Sequence, residues 1–202
     1  MSDDEDSGLR AKKKAAVYKH LTDAAFRLFG ECGFERTTID DLAKGAGVSP
    51  RTFFRYFESK EDVVLGWLLR LGDELAANVA TRPKSEAPWT ALKHAAHDAI
   101  APHTGDRAQT LRLLRLLSDT PSLRARHLEK QAAWQQAIAV EVAKRMGVDP
   151  KRAIEPRLYA SQALAVLQLA TESWAARGGK GDLAEVVAET FARVHVRVDD
   201  GA

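Results

Sequence analysis

Between one glycine- or proline-bearing break and the next, the apolar residues of this 202-residue chain recur at spacings of three and four. No segment of useful length alternates with the two-residue period of a strand. A chain patterned this way buries its apolar surface by packing helix on helix, so the expected fold is all-α, with about nine helices. The length and the 45% apolar content allow a core that needs no covalent staple. Cys32 is the only cysteine, so no internal disulfide can form, and with six scattered histidines it offers no zinc-type spacing. No metal and no cofactor are expected. No cationic cluster stands immediately beside Cys32 to activate the thiol, so it reads as a packing residue. No apolar run approaches the roughly eighteen residues of a membrane span, and the opening MSDDEDSGLR lacks the apolar stretch of a secretory signal, so the expected location is the cytoplasm.

Residues 1–9, acidic with nothing to bury, read as a disordered tail. From about Arg10 to Cys32, the positions Val17, Leu21, Ala24, Ala25, Leu28 and Phe29 mark one face of a first helix, stopped by Gly33. Thr38 precedes Asp40 and Asp41 as an N-cap, which predicts a short second helix to about Ala46. Gly47 then supplies a tight turn, Ser49 a second cap and Pro50 a first helical residue, so a third helix is expected from Pro50 to about Phe57. Ser59 caps a long fourth helix carrying Val63, Val64, Trp67, Leu68, Leu71 and Leu75. Further helices are expected at about 88–101, 107–119, 121–147, 151–177 and 182–198. The chain is thus divided into a tail (1–9), a three-helix unit (10–60) and a larger helical domain (61–202).

The stretch from Thr37 to Asp62, TTIDDLAKGAGVSPRTFFRYFESKED, has the spacing of a helix-turn-helix. Ile39, Leu42, Ala43 and Ala46 form an inner face, Gly47 makes the bend, Val48 plugs it, and Phe53 and Phe57 return the inner face of the second helix. Arg51, Thr52, Phe54 and Arg55 are left facing outward. An exposed phenylalanine among basic and hydroxyl residues suits a thymine methyl or a sugar, and Arg51 near the helix start suits a guanine edge. Charge agrees: between Leu9 and Lys60 there are eleven basic and six acidic residues. Arg10, Lys12, Lys13 and Lys14 form either a solubilising terminus or an arm along a nucleic-acid backbone.

In this region the chain resembles the TetR family of regulators. The resemblance covers roughly Val17 to Leu69 and rests on Gly33-Phe34, Thr37-Thr38-Ile39, Ala43, Ala46-Gly47-Val48-Ser49, Tyr56-Phe57 and Ser59-Lys60-Glu61. It implies a homodimer on a double-stranded, palindromic DNA operator, most simply a repressor released by a small-molecule effector. The alternative is a DNA-binding protein without effector response. The resemblance further implies that Thr38, Tyr56 and Lys60 touch phosphates while Pro50, Arg51, Thr52 and Phe54 face bases, with Ser49 capping that helix. Phe54 stands where the family commonly has tyrosine, which shifts weight to Arg55. Tyr56 sits beside the inner face by helical period, so its ring packs while its hydroxyl is free to reach a phosphate. The stretch TFFRYF is similar to that of a subgroup with acyl-CoA-like ligands, which implies an apolar or acyl-bearing effector.

In the larger domain, Ile154, Leu158, Ala165 and Leu169 form a stripe with small residues between, and Leu183, Val187, Phe191, Val194 and Val198 form another. Another helix must cover these faces. That cover comes either from the same chain or from a second subunit, and the resemblance implies the second, so Leu158, Leu169, Leu183, Val187, Phe191 and Val194 are the expected dimer interface. Trp67, Leu71, Trp89, Trp134, Tyr159 and Trp174 are candidates for a pocket wall. Arg112 and Arg115 share a stripe that either meets solvent or faces an anionic group of the effector. His94, His97 and Asp98 share a helix face, but no fourth metal ligand is visible. The chain has no nucleophile elbow, P-loop, zincin or dinucleotide motif, so no enzymatic activity is expected.

Overall fold

A computed structural model describes residues 2–194, with the backbone alone given for residues 2–15 and for Trp67. Every regular element among the described residues is helical. The chain divides into two compact units, 1–66 and 67–202.

The first unit holds α1 (Ser2–Cys32), α2 (Ile39–Gly45), α3 (Pro50–Phe54) and α4 (Lys60–Leu65). Leu21, Ala25 and Phe29 of α1 are buried with Leu42 and Ala43 of α2, Phe53 of α3, and Val63 and Val64 of α4. Aromatic rings tie the group together: Phe57 lies 4.8 Å from Tyr18 and 5.5 Å from Phe53 between centroids. Thr37, also buried, donates its hydroxyl to the Gly33 carbonyl at 2.8 Å and so closes the connection after α1.

Several boundaries differ from the sequence expectation, each for a local reason. Helix α1 begins at Ser2, so the stretch expected to be a disordered tail is helical. The third helix stops at Phe54, not Phe57, because the amides of Arg55 and Tyr56 turn back to carbonyls three residues earlier, at Thr52 and Phe53, tightening the last turn. The expected long fourth helix is broken. Gly66 has φ of 36°, a 3-10 turn spans Gly66–Leu69, and a Cβ on Gly66 would come 3.2 Å from the Tyr18 hydroxyl. The break raises the count to ten α-helices among the described residues. Cys32, expected to pack, is exposed.

The second unit contains α5 (Leu71–Thr81), α6 (Pro88–Ile100), α7 (Arg107–Asp119), α8 (Pro121–Met146), α9 (Glu155–Ala176) and α10 (Leu183–Ala192). Helix α5 packs on α6 and α8, α8 on α9, and α10 on both α6 and α9. Pro88 and Pro121 sit in first turns, where a missing N–H costs nothing, and Asp106 and Asp182 cap α7 and α10 by accepting from Gln109 and Ala184 amides. Gly147, at φ of 68°, ends α8 in the left-handed conformation, with the Val148 amide bonded to the Ala143 carbonyl. Arg145 then ties three segments: its guanidinium donates to the carbonyls of Val79, Arg82, Pro83 and Glu86. Helix α9 starts at Glu155 rather than 151, since Pro156 belongs to a first turn and disfavours helix before it. Helix α10 ends at Ala192, short of the expected 198, with Arg193 as its C-cap; residues 195–198, Val198 included, lie outside the described residues.

Candidate functional site

The start of α2 is fixed by reciprocal hydrogen bonds. Thr38 Oγ1 accepts from the Asp41 amide at 3.1 Å, while the Asp41 carboxylate accepts from the Thr38 hydroxyl at 2.6 Å and the Thr38 amide at 2.9 Å. The Thr38 side-chain bond, followed by its backbone bond, holds the Asp41 carboxyl below its ordinary range. After α2, the Val48 amide reaches back to the Ala43 carbonyl at 2.9 Å and Gly47 takes a φ of 65°. Ser49 Oγ then accepts from the Thr52 amide at 3.1 Å and lies 3.0 Å from the Thr52 hydroxyl, so α3 starts from a capped end with Pro50 in its first turn.

This scaffold presents Ser49, Pro50, Arg51, Phe54 and Arg55 as exposed residues, with Thr52 and Tyr56 half-buried. Phe54 is 54% exposed although Phe53 beside it is fully buried, so the two phenylalanines divide between surface and core as their helical positions require. The Arg55 guanidinium lies over the Tyr56 ring, 5.2 Å from its centroid. Lys60 is placed differently from the sequence expectation of a side chain turned to a phosphate. Its ammonium donates to the carbonyls of Phe34, Glu35 and Thr37 at 3.0, 3.3 and 3.3 Å, and sits 4.5 Å from the centroid of the Phe34 ring. The side chains of Arg10, Lys12, Lys13 and Lys14, the expected arm, lie outside the described residues.

The second unit holds a cavity of about 550 Å³, inside the usual range for small-molecule sites. Leucines from α5, α7, α8 and α9, together with Trp134, make its apolar wall. Of the expected pocket residues, Leu71, Arg115 and Trp134 line it. Trp89, Tyr159 and Trp174 do not, because each is used in packing elsewhere. Trp89 lies 5.0 Å from Phe191 and 6.4 Å from Tyr159, and donates its indole N–H to the Phe191 carbonyl; Trp174 donates to the Gly181 carbonyl. Arg112 is exposed and outside the lining, so the two arginines expected on one stripe part company. The Trp67 side chain lies outside the described residues.

Sequence reasoning missed the polar part of the wall, Arg124, His127 and Gln131, which precede Trp134 on α8 at spacings of three, four and three. That spacing is itself the signal that would have found them, one helix face carrying three polar groups and an indole. Gln131 bonds to His127 at 3.1 Å between Nε2 atoms, and the His127 ring stands edge-on to Trp134 at 5.3 Å. Burial keeps the His127 pKa below the usual histidine range, so its ring is neutral near pH 7.

The expected dimer-interface residues divide. Leu158 and Leu169 on α9 are 47% and 60% exposed, and Ile154 just before that helix is 56% exposed. Leu183, Val187 and Phe191 are instead buried inside the chain, where α10 packs on α6 and α9, so they leave no open face for a second copy. Val194 is half-buried. His94 and His97 pair with Glu86 and Asp98, and no group of three or more metal-ligating side chains occurs among the described residues. Among those residues, no helix is long and apolar enough to cross a membrane.

Comparison with known proteins places both units. The family model described as bacterial regulatory proteins, tetR family, matches residues 21–66, and the model described as MftR C-terminal domain matches residues 86–199. The chain is similar to the HTH-type transcriptional regulator TcmR of Streptomyces glaucescens, with 31% identity over 173 residues, covering 83% of this chain and 76% of that protein. Among solved structures, the fatty acid degradation regulator FadR from Bacillus halodurans has a TM-score of 0.59 at 20% identity, covering 87% of this chain and 93% of that one. FadR from Bacillus subtilis, in complex with stearoyl-CoA, has a TM-score of 0.54 at 18% identity, covering 87% and 96% respectively. These structural likenesses are likenesses of fold.

Proposed function

The chain belongs to the TetR family of bacterial regulatory proteins, and from that premise we propose that it is a dimeric repressor that leaves a palindromic operator when an apolar or acyl-bearing small molecule fills its cavity. The observation that carries this reading is the pairing, in one chain, of a capped helix presenting Arg51 and Phe54 to solvent with a separate unit enclosing about 550 Å³ of leucine-lined space. Arg51, at the start of α3, reads a guanine edge through two hydrogen bonds, and Phe54 meets a thymine methyl. Pro50, Thr52 and Arg55 flank them, while Ser49 and Thr38, whose hydroxyls serve the caps, lend polar groups to the phosphates at the helix starts. Tyr56 packs its ring and offers its hydroxyl to the backbone.

The exposed stripe of Ile154, Leu158 and Leu169 supports a two-fold dimer through α9, and a two-fold dimer reads an inverted repeat with half-sites about one helical turn apart or a multiple of it. Leu71, Arg115 and Trp134 belong to the effector site. The complex of a fold relative with stearoyl-CoA supports an acyl-bearing effector. A DNA-binding protein without effector response would have no use for the cavity. The family, whose members compared above are regulators, also favours binding over catalysis, and the expected place of action is the cytoplasm, where the DNA lies.

The deciding experiment recovers genomic fragments on the purified protein, defines the shared sequence, and titrates the complex with fatty acids, their CoA thioesters and aromatic ketones. An inverted repeat bound by a dimer and released by one of these compounds is the expected result. Fragments with no common sequence, or release by none of the compounds, would overturn the corresponding half of the reading.

A further inference from the structure

We infer that a second copy of the chain roofs the cavity, so that the ligand is held at the interface of the dimer and tightens it. The inference rests on the dimer through α9 and on the cavity being the effector site. On α9, Leu158, Ser161, Ala165, Leu169, Glu172 and Ala176 recur at three and four and are all exposed, which makes them one continuous outer stripe. Glu172 and Ala176 also line the cavity, as does Gln168 beside them. On α8, Leu128 lines the cavity and is nonetheless 53% exposed. The cavity thus meets solvent between α8 and α9, at the rim of the stripe that receives the partner.

Among the described residues of the second unit, the exposed large apolar side chains are Leu128, Val148, Ile154, Leu158 and Leu169, and all but Val148 stand on α8, on α9 or at the residue that precedes α9. A two-fold dimer needs one patch that complements itself, and this concentration supplies it. Ala165 lies midway along the stripe, where a small side chain lets two copies of α9 approach closely. An antiparallel crossing there sets Arg157 of one copy near Glu172 of the other, since the two lie about equally far from Ala165 and carry opposite charge. An apolar ligand in the single chain would leave part of its surface in water at the mouth, and the partner's α9 removes that exposure. Filling the cavity therefore favours the dimer, and release from DNA comes from rearrangement within the dimer, not from its dissociation.

The test titrates the full-length protein with N-phenyl-1-naphthylamine, a neutral probe whose fluorescence rises on leaving water, while sedimentation velocity reports the assembly. Leu158 is exposed and does not line the cavity, so Leu158→Glu acts on the partner contact alone. This variant should keep its helical circular dichroism, sediment as a monomer and bind the probe about tenfold more weakly than the wild-type dimer. Ile154→Glu, just ahead of α9 and equally outside the lining, serves if the first variant does not fold. By linkage, saturating probe should lower the wild-type dimer dissociation constant by about a hundredfold, a factor of ten for each cavity. A folded monomeric variant with wild-type probe affinity, or a dimer constant that ignores the probe, overturns the shared cavity and leaves each copy with a site of its own. A monomeric wild type, or variants that stay dimeric, overturns the dimer through α9 and the inference with it. No binding by the wild type, or undiminished binding in Leu114→Trp, which fills the cavity from α7, overturns the effector-site reading instead, and again the inference.

Discussion

Lys60 and Phe34, twenty-six residues apart, are locked together: the ammonium donates to the Phe34 carbonyl at 3.0 Å while lying 4.5 Å from the centre of the same residue's ring. Two further carbonyls, of Glu35 and Thr37, complete its three donors. Lys60 thus joins the start of α4 to the segment that follows α1, and it closes the first unit. Its removal is expected to act first on stability. Lys60→Ala should cost roughly 1.5 to 3 kcal/mol in chemical denaturation, the range for hydrogen bonds to a charged group. A variant of unchanged stability with a shallower salt dependence of DNA binding would return Lys60 to the role of a phosphate contact.

Arg51 is exposed in the first turn of α3, and Ser49 satisfies the amide of Thr52 beside it. Among the described residues no hydrogen bond or ion pair engages the Arg51 side chain as Lys60 is engaged in the first unit. Arg51→Ala should therefore leave the melting temperature unchanged and reduce the preference for operator over random DNA by about 1 to 3 kcal/mol. Competition binding against both DNAs measures this, and an unchanged ratio would remove Arg51 from base reading.

What the sequence made legible was local. Thr38 announced an N-cap, which the structure extends to a capping box with Asp41 three residues on, and the alternation of Phe53 and Phe54 between core and surface followed from helical period alone. The break at Gly66 was hidden, because the run VVLGWLL keeps an apolar rhythm across it, and the positive φ and the close Tyr18 hydroxyl that exclude a side chain there belong to the folded chain. The face of α10 was read correctly as needing cover, but periodicity does not say what covers it, and α6 and α9 of the same chain do. His127 went unnoticed because a histidine on a polar helix face looks solvated, although Gln131 and Trp134, four and seven positions on, mark the face that it shares.

The division of the expected dimer residues gives a sharp contrast between variants. Leu169 is 60% exposed on α9, whereas Val187 is fully buried under α6 and α9. Leu169→Glu should yield folded monomers in light scattering with weak operator binding, since the charge meets water in the single chain and an apolar partner in the dimer. Val187→Glu should instead collapse the second unit and show loss of helical circular dichroism. A Leu169→Glu protein that remains a dimer would exclude this face of α9 as the interface.

Arg82 forms two hydrogen bonds to Glu86, and His94 adds a third contact, so the Glu86 carboxyl is held at about 2 in place of its usual 4.5. The folded chain thus binds this proton less readily than the unfolded one. The stabilisation is fully present above pH 4.5 and is lost as the pH falls from there towards 2. Wild type should be more stable than Glu86→Gln at pH 6, and the gap should narrow steadily below pH 4.5 in urea titrations. A gap independent of pH would show that the carboxylate charge is not what matters.

The effector reading makes a demand that binding measurements meet without any further structure. A ligand lowers operator affinity only to the extent that it binds the DNA-free arrangement better than the DNA-bound one, and the operator must then weaken the ligand by the same factor. For a coupling of about 1 to 3 kcal/mol, each partner should lower the affinity of the other by roughly 5 to 150-fold. Trp134 lines the cavity and the base of its side chain presses on Gly72, where an added Cβ would overlap it, so Gly72→Ala should force α5 and α8 apart and deform the cavity wall. This variant is expected to bind the ligand more weakly, keep wild-type operator affinity in its absence, and require correspondingly more ligand for release. The two coupling factors, measured independently by titrating ligand with and without operator and operator with and without ligand, must agree. A compound that saturates the cavity and leaves operator affinity unchanged would show that the cavity binds without signalling, and would separate occupancy of the second unit from release by the first.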